Sequence, residues 1–140
     1  MPRLPVHAFL LVLAVALTSA SCGDDNSTTT PTSPTPVYVT DTFSGTLATG
    51  ETARHTFTAK TGGSIQIAVT AMAPDATLTM GIGLGTWDGT ACSVVLQTSA
   101  ATLNSAFSAS ATSAGNYCVT LFDVGNVTTP TQYTLSVVHP

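Results

Sequence analysis

The three cysteines are the residues whose positions most directly indicate chemistry. Cys22 follows a short apolar leader, whereas Cys92 and Cys118 lie much further along the chain. An odd number of thiols in an oxidising compartment leaves one thiol over, and a covalent modification of Cys22 would account for it. We therefore expect Cys92 and Cys118 to form a disulfide. A redox or metal-binding pair is the alternative, but neither a CxxC spacing nor a neighbouring histidine supports it.

The residues before Cys22 have the order of a secretion signal. Arg3 and His7 give a weakly basic start, and an unbroken apolar run follows from Ala8 to Leu17. As a helix this run would span roughly 15 Å, about half of the hydrocarbon core of a bilayer. The pattern therefore predicts a signal peptide and not a permanent transmembrane helix.

The residues around Cys22 are similar to a known processing site. Ala20 and Ser21 directly precede the cysteine, and this segment resembles the lipobox of bacterial lipoproteins, although Ser19 stands where that family prefers leucine. The resemblance implies that residues 1–21 are removed and that a diacylglyceryl group on Cys22 anchors the chain in the cell envelope. The anchored chain would lie at the outer membrane or cell surface, or on the periplasmic face of a membrane. Ordinary secretion with cleavage after Ala20 is the alternative.

The composition of the mature chain limits its partners. Residues 22–36 hold the expected lipidated cysteine and a Thr/Pro/Ser-rich tether, which three prolines bias towards extended conformations. The mature chain keeps two basic side chains, Arg54 and Lys60, against seven acidic ones, a net side-chain charge of −5. Without a basic surface the chain is not expected to bind nucleic acid. Charge would not hold it to an anionic membrane either.

Apolar and polar side chains alternate with period two from residue 37 onward. The alternating segments are Ala53–Thr58, Ile65–Ala71, Thr77–Leu84, Cys92–Gln97, Leu103–Ala109, Tyr117–Leu121 and Tyr133–Val137. Such alternation places one face of a strand in a core and the other in water, and turn-prone residues separate the segments. Residues 37–140 are therefore predicted to form one all-β domain, a single antiparallel β-sandwich or jelly roll of about eight strands.

Several of these segments resemble the bacterial pre-peptidase C-terminal domain. The similar stretches are Gly50–Ala59, Gly63–Ile67, Asp75–Met80, the alanine-glycine-x-tyrosine strand Ala114–Leu121, and Gln132–Val137. Members of that family are compact β-sandwiches appended to secreted peptidases, where they are thought to assist substrate binding or secretion. The resemblance implies a binding or accessory module. This sequence departs from the family's usual setting, because the segment before the domain is expected to be a signal peptide and a tether and not a peptidase.

The candidate binding residues lie in turn-prone segments. Trp87 and Asp88 lie within Gly85–Gly89, where an exposed indole would stack on a sugar ring or anchor a partner. The alternative is an indole packed over one end of the sandwich. No cofactor is expected, but Asp75, Asp88 and Asp123 are candidate calcium ligands, since they fall near predicted strand ends that could meet at one rim. Solvated loop acids are the alternative.

No set of acid, base and nucleophile presents itself, so the chain is not expected to be an enzyme. His55 is expected to pack beside Phe57, and His139 to fray at the end of the chain. Gly81–Gly85 lacks the spacing of a phosphate loop and is expected to be a close-packed strand.

The predicted function is a membrane-anchored binding or accessory module for a polysaccharide, a peptide or an envelope protein. A structural spacer or assembly component of the envelope, without a soluble ligand, is the alternative.

Overall fold

The computed structural model describes residues 35–140. The predicted signal peptide, Cys22 and nearly all of the predicted tether lie outside the described residues. The eight strands are β1 (Val39–Leu47), β2 (Thr52–Ala59), β3 (Gly63–Ala73), β4 (Met80–Trp87), β5 (Cys92–Ala101), β6 (Ala106–Ala111), β7 (Gly115–Asp123) and β8 (Thr131–His139). No helix in this part of the chain is long and apolar enough to span a membrane.

The strands form two antiparallel sheets of four strands each. Sheet A has the order β1-β8-β3-β6, and sheet B has the order β2-β7-β4-β5. Only the β4–β5 connection joins neighbours within one sheet, so every other connection carries the chain from one sheet to the other. This strand order is that of a jelly roll. The prediction of a single all-β sandwich of about eight strands is confirmed.

One hydrophobic core fills the space between the sheets. Strand β8 shows how the sequence builds it: Tyr133, Leu135 and Val137 are buried, while the residues between them are more exposed. This period-two burial is what a strand with one core-facing side requires. The buried apolar side chains of the core all lie between Leu47 and Val137. Residues 35–140 therefore contain a complete core of their own.

Strand β6 begins later than the alternation predicts. The expected strand started at Leu103, whereas β6 starts at Ala106. A tight turn precedes it, in which the Ser105 amide donates to the Thr102 carbonyl and Asn104 takes a left-handed backbone with φ of 63°. Asparagine tolerates this conformation better than most residues, so it supplies a turn where alternation alone predicts a strand.

Strand β4 also begins later than predicted, at Met80 and not at Thr77. The Asp75 carboxylate accepts hydrogen bonds from the Thr77 amide, at 2.8 Å, and from the Thr77 hydroxyl, at 2.6 Å. Side chains that bond nearby backbone in this way compete with the strand ladder. The segment 75–77 is therefore a turn.

Candidate functional site

The Cys92–Cys118 disulfide is present, as predicted, with Cα atoms 5.8 Å apart. It joins β5 to β7, which are not neighbours, because β4 lies between them in sheet B. Cys118 lies on the outer face of β7, opposite the core residues Tyr117 and Val119, and is itself buried. The disulfide therefore closes over β4 from the outside of the sandwich.

Gly85 makes this crossing possible. A Cβ atom at residue 85 would overlap the carbonyl of Ser93 and lie 2.8 Å from the Cα of Val94. The β5 backbone thus rests directly on the outer side of β4, which brings Cys92 within reach of Cys118. The register of the two strands shifts at this point, so that Val95 is an extra residue in β5. Gly81–Gly85 is a close-packed strand segment, as predicted.

Trp87 ends β4 beside Cys92 and is half-buried. The Arg54 guanidinium lies over the indole, 5.7 Å from the ring centroid, at a distance typical of a cation–π contact. Arg54 therefore occupies a position near the ring that a stacking ligand would need. Asp88 accepts hydrogen bonds from the amides of Thr90 and Ala91, at 2.8 and 2.7 Å. Its carboxylate closes the β4–β5 turn, and these bonds lower its pKa.

The three calcium candidates do not form a common site. No three His, Cys, Asp or Glu side chains come together as a metal-binding group within residues 35–140. Asp75 and Asp88 each cap their own turn, and bonds with Thr77 lower the pKa of Asp75. The prediction that Asp75, Asp88 and Asp123 could meet at one rim is therefore wrong. Each carboxylate accepts hydrogen bonds from loop backbone instead.

Asp123 connects two loops. Its Oδ1 accepts from the amides of Gly125, Asn126 and Val127, at 2.7 to 3.0 Å. Its Oδ2 accepts from the Gly50 amide, at 2.9 Å, in the turn between β1 and β2. The bond from Gly50 is the leading cause that lowers the pKa of Asp123 to about 2. This carboxylate fixes the loop after β7 against the β1–β2 turn.

His55 packs beside Phe57, as expected. Both side chains lie on the inner side of β2, and His55 is at the edge of the core. Its ring stacks on Phe43 with centroids 4.8 Å apart, and its Nε2 lies 2.8 Å from the Tyr133 hydroxyl. Burial lowers the pKa of His55 and raises the pKa of Tyr133, so both shifts favour the neutral forms. The Tyr133 hydroxyl lies against Gly45, where a Cβ would be only 2.6 Å from its oxygen. The pair is a packed polar contact.

His139 does not fray, so that expectation is wrong. Only 3% of it is exposed, its Nε2 lies 3.0 Å from an Asp41 carboxylate oxygen, and its ring centroid lies 4.7 Å from that of Phe57. The chain is held beyond it as well, because the Pro140 carbonyl accepts the Lys60 amide at 2.9 Å. Proximity to the end of the sequence gave no sign of these partners.

The outer face of sheet A carries no charged side chain. Alternation and strand register place Ser, Thr, Gln, Ala and one Val on it: Thr40, Thr42, Ser44, Thr46, Ser64, Gln66, Ala68, Thr70, Ala71, Ala73, Ala106, Ser108, Ser110, Gln132, Thr134, Ser136 and Val138. Sequence reasoning did not single out this face. The polar half of each alternation was its only signal, and any solvated strand gives the same signal.

A groove of about 470 Å³ crosses this face over β1, β8 and β3. It is lined by Ser44, Gly45, Thr46, Ala71, Met72, Ala73, Gln132, Tyr133 and Thr134. The Ser44 and Thr134 hydroxyls are hydrogen-bonded to each other at 3.1 Å. The register between β3 and β8 shifts between Val69 and Ala71, within the stretch that leads into the groove. Such a shift locally changes the twist of a sheet. We call this feature the sheet A groove.

No protein-family model matches the chain, and no curated protein matches it.

The two candidate surfaces are the sheet A groove and the Trp87–Asp88 turn of sheet B, and their chemistry differs. The groove offers uncharged hydroxyl and amide groups beside small apolar ones, whereas the turn offers one indole beside a guanidinium.

Proposed function

We propose that this chain is a non-catalytic binding module of the cell envelope. A lipid on Cys22 would anchor it to a membrane, the Thr/Pro/Ser-rich tether would carry the β-sandwich away from the bilayer, and the sheet A groove would bind the ligand. The observation that carries the binding role is the groove itself. It crosses three strands, and five of its nine lining residues bear a hydroxyl or amide group, while none bears a charge.

An uncharged, hydroxyl-rich polymer is the ligand class that this lining favours. Ser44, Thr46 and Thr134 each present a group that both donates and accepts hydrogen bonds, as the hydroxyls of a neutral polysaccharide do. Strands β8 and β3 are paired on both sides, so a peptide strand finds no free backbone along the centre of this face. The absence of charge on the face disfavours strongly ionic ligands, because nothing there compensates their desolvation.

The resemblance to pre-peptidase C-terminal domains is additional support for the same proposal. Those domains are β-sandwiches with an accessory role, and the fold of residues 35–140 is a β-sandwich. A fold of this kind hosts many functions, so the ligand must be argued from the groove and not from the resemblance. Trp87 and Asp88, on sheet B, are the second candidate contact with a ligand. There the Arg54 guanidinium would compete with the ligand for the face of the indole.

Retention on insoluble neutral polysaccharides tests the proposal. We expect residues 35–140 to be retained on at least one polymer from a panel of cellulose, xylan, mannan, chitin and starch. Ala71 is exposed and lines the groove, so Ala71→Arg should abolish retention by filling it. Ala106→Arg is the matched control, because Ala106 is an exposed strand alanine on the same face outside the groove. Equal retention of both variants, or no retention of the parent, would contradict the proposal.

A structural or assembly role in the envelope is the second candidate. The observation that favours it is a run of exposed apolar residues, Val94–Leu96, on the edge strand β5. This run lies on sheet B, away from the sheet A groove, so the two roles are compatible in one molecule.

A further inference from the structure

Strand β5 exposes three consecutive apolar side chains. The exposed fractions are 41% for Val94, 73% for Val95 and 44% for Leu96. The other large apolar side chains exposed in residues 35–140 are Val37, Tyr38 and Val39, at the start of the described chain. Val94–Leu96 is therefore the exposed apolar run that lies wholly within a strand, whereas of the other three residues only Val39 belongs to a strand, at the start of β1. Exposed apolar patches on a sheet edge are typical of interaction surfaces.

The two strands on this side of the sandwich carry no charged side chain. Residues 89–122 contain no Asp, Glu, Lys, Arg or His. This interval includes all of β5 and β6, which contact each other and are terminal strands of sheets B and A. The acidic and basic side chains of the described residues therefore belong to other strands and loops. We call the exposed surface of β5 and β6 the neutral side.

Strand β5 also offers backbone hydrogen bonds. Within residues 35–140 it pairs with β4 alone, so its other edge has no strand partner. Unpaired amide and carbonyl groups along such an edge are a template for one further strand. The disulfide holds this strand against β4 and β7, so its edge is positioned before any partner arrives. Less ordering entropy is then lost when a partner binds.

We propose that the neutral side binds a second copy of this chain, with β5 paired to β5 about a twofold axis. Residues 35–140 carry two basic and five acidic side chains, a net side-chain charge of −3. Two copies therefore repel each other through most approaches. At the neutral side they meet without opposing like charges, and they bury Val94, Val95 and Leu96 of both copies.

The geometry of an antiparallel sheet edge suits pairing with a second copy of the chain. An edge strand turned by a twofold axis pairs with itself, so one surface serves both copies and the contact closes at two. The register shift at Val95 limits how far the pairing extends, because a bulge bends the strand and interrupts the ladder. We therefore expect few backbone hydrogen bonds across the contact, with the apolar side chains of Val94–Leu96 supplying most of the buried area. The sheet A groove of each copy stays free in such a dimer.

Sedimentation velocity over a concentration series tests the proposal. Residues 35–140 hold the complete core and the disulfide, so this segment is the sample, with thermal melts to verify that each variant is folded. We expect a reversible monomer–dimer equilibrium. Val95→Lys should raise the dimer dissociation constant by about tenfold or more, the factor that corresponds to ~1.4 kcal/mol. Val37→Lys is the matched control, because Val37 is similarly exposed at 80% but lies outside the strands.

Amide hydrogen exchange locates the contact independently. Raising the protein concentration should slow exchange at Val94–Leu96, while exchange at the other sheet edges stays unchanged. A protein that remains monomeric up to about 1 mM overturns the proposal. So does a dimer that Val95→Lys leaves intact, or one that protects β1 or β2 instead of β5. Binding of polysaccharide by a monomer would leave the proposed function standing while removing this inference.

Discussion

The carbonyl of Ser93 occupies the space that a side chain at Gly85 would need. Strand β5 therefore does not simply extend sheet B sideways; its backbone rests on the outer side of β4 at this point. The consequence is that Cys92 reaches Cys118 across an intervening strand. One glycine, one register shift and one disulfide thus work together to hold the edge of the sheet.

Gly85→Ala should destabilise the protein because the new methyl group meets backbone, which cannot rotate away. We expect the free energy of unfolding to fall by about 2–3 kcal/mol, in the upper part of the range for overpacking. Urea unfolding followed by circular dichroism measures this change. Gly115→Ala is the control, since its Cβ would meet only Tyr117 Cε2, at an ordinary 3.8 Å. Similar losses in the two variants would show that β5 does not press on β4.

Removal of the disulfide should cost about 3–4 kcal/mol of unfolding free energy, the value expected for a loop of 26 residues in the chain-entropy model. The double variant Cys92→Ser with Cys118→Ser makes this change without a reductant. Denaturant unfolding of the oxidised parent and the double variant gives the difference. An unchanged midpoint would mean that the crossing over β4 is stable without the bond.

Asp123 should contribute stability that depends on pH. Its folded pKa of about 2 lies below the ordinary value of 3.8, so its hydrogen bonds stabilise the fold above about pH 4. This contribution is lost as the pH falls towards 2. Asp123→Asn should therefore lower Tm at pH 7, and its difference from the parent should shrink between pH 4 and pH 2. Calorimetry across this range measures both effects.

Asp75→Asn provides the comparison for Asp123. Its carboxylate bonds only Thr77, within its own turn, whereas Asp123 connects two loops. We expect a smaller loss of Tm for Asp75→Asn at pH 7. A loss as large as that of Asp123→Asn would argue against a special role for the contact with Gly50.

The sequence predicted the fold better than it predicted the site. Period-two alternation was sufficient for an all-β sandwich, and the cysteine count was sufficient for the Cys92–Cys118 bond. Contacts between residues distant in the sequence were not accessible in this way. His139 is buried because Asp41 and Phe57 come from two other strands, and alternation carries no information about which strands become neighbours.

The two candidate binding surfaces were also hard to predict from the sequence. Trp87, the only tryptophan of the sequence, was predicted as a candidate binding residue. Nothing in the sequence indicated that Arg54 lies over its ring. The sheet A groove arises from three strands that are neighbours in space and separated in sequence. Its residues are ordinary serines, threonines and alanines. Their types are uninformative until the register places them on one face.

The proposed lipid anchor on Cys22 predicts a covalent label. Cells that express the full chain and are fed a labelled fatty acid should incorporate the label into the protein, and Cys22→Ser should abolish incorporation. Cys92→Ser with Cys118→Ser is the control and should keep the label. Unlabelled parent protein, released to the medium after cleavage, would instead support ordinary secretion.

The central claim is that the uncharged groove on sheet A is the ligand site. Two-dimensional ¹H–¹⁵N NMR of residues 35–140, titrated with neutral oligosaccharides of the retained polymer class, tests it most directly. We predict saturable shifts at the amides of Ser44, Thr46 and Thr134, with Trp87 and Asp88 unmoved. Shifts confined to Trp87 and Asp88, or none anywhere with the whole panel at millimolar concentration, would contradict the claim.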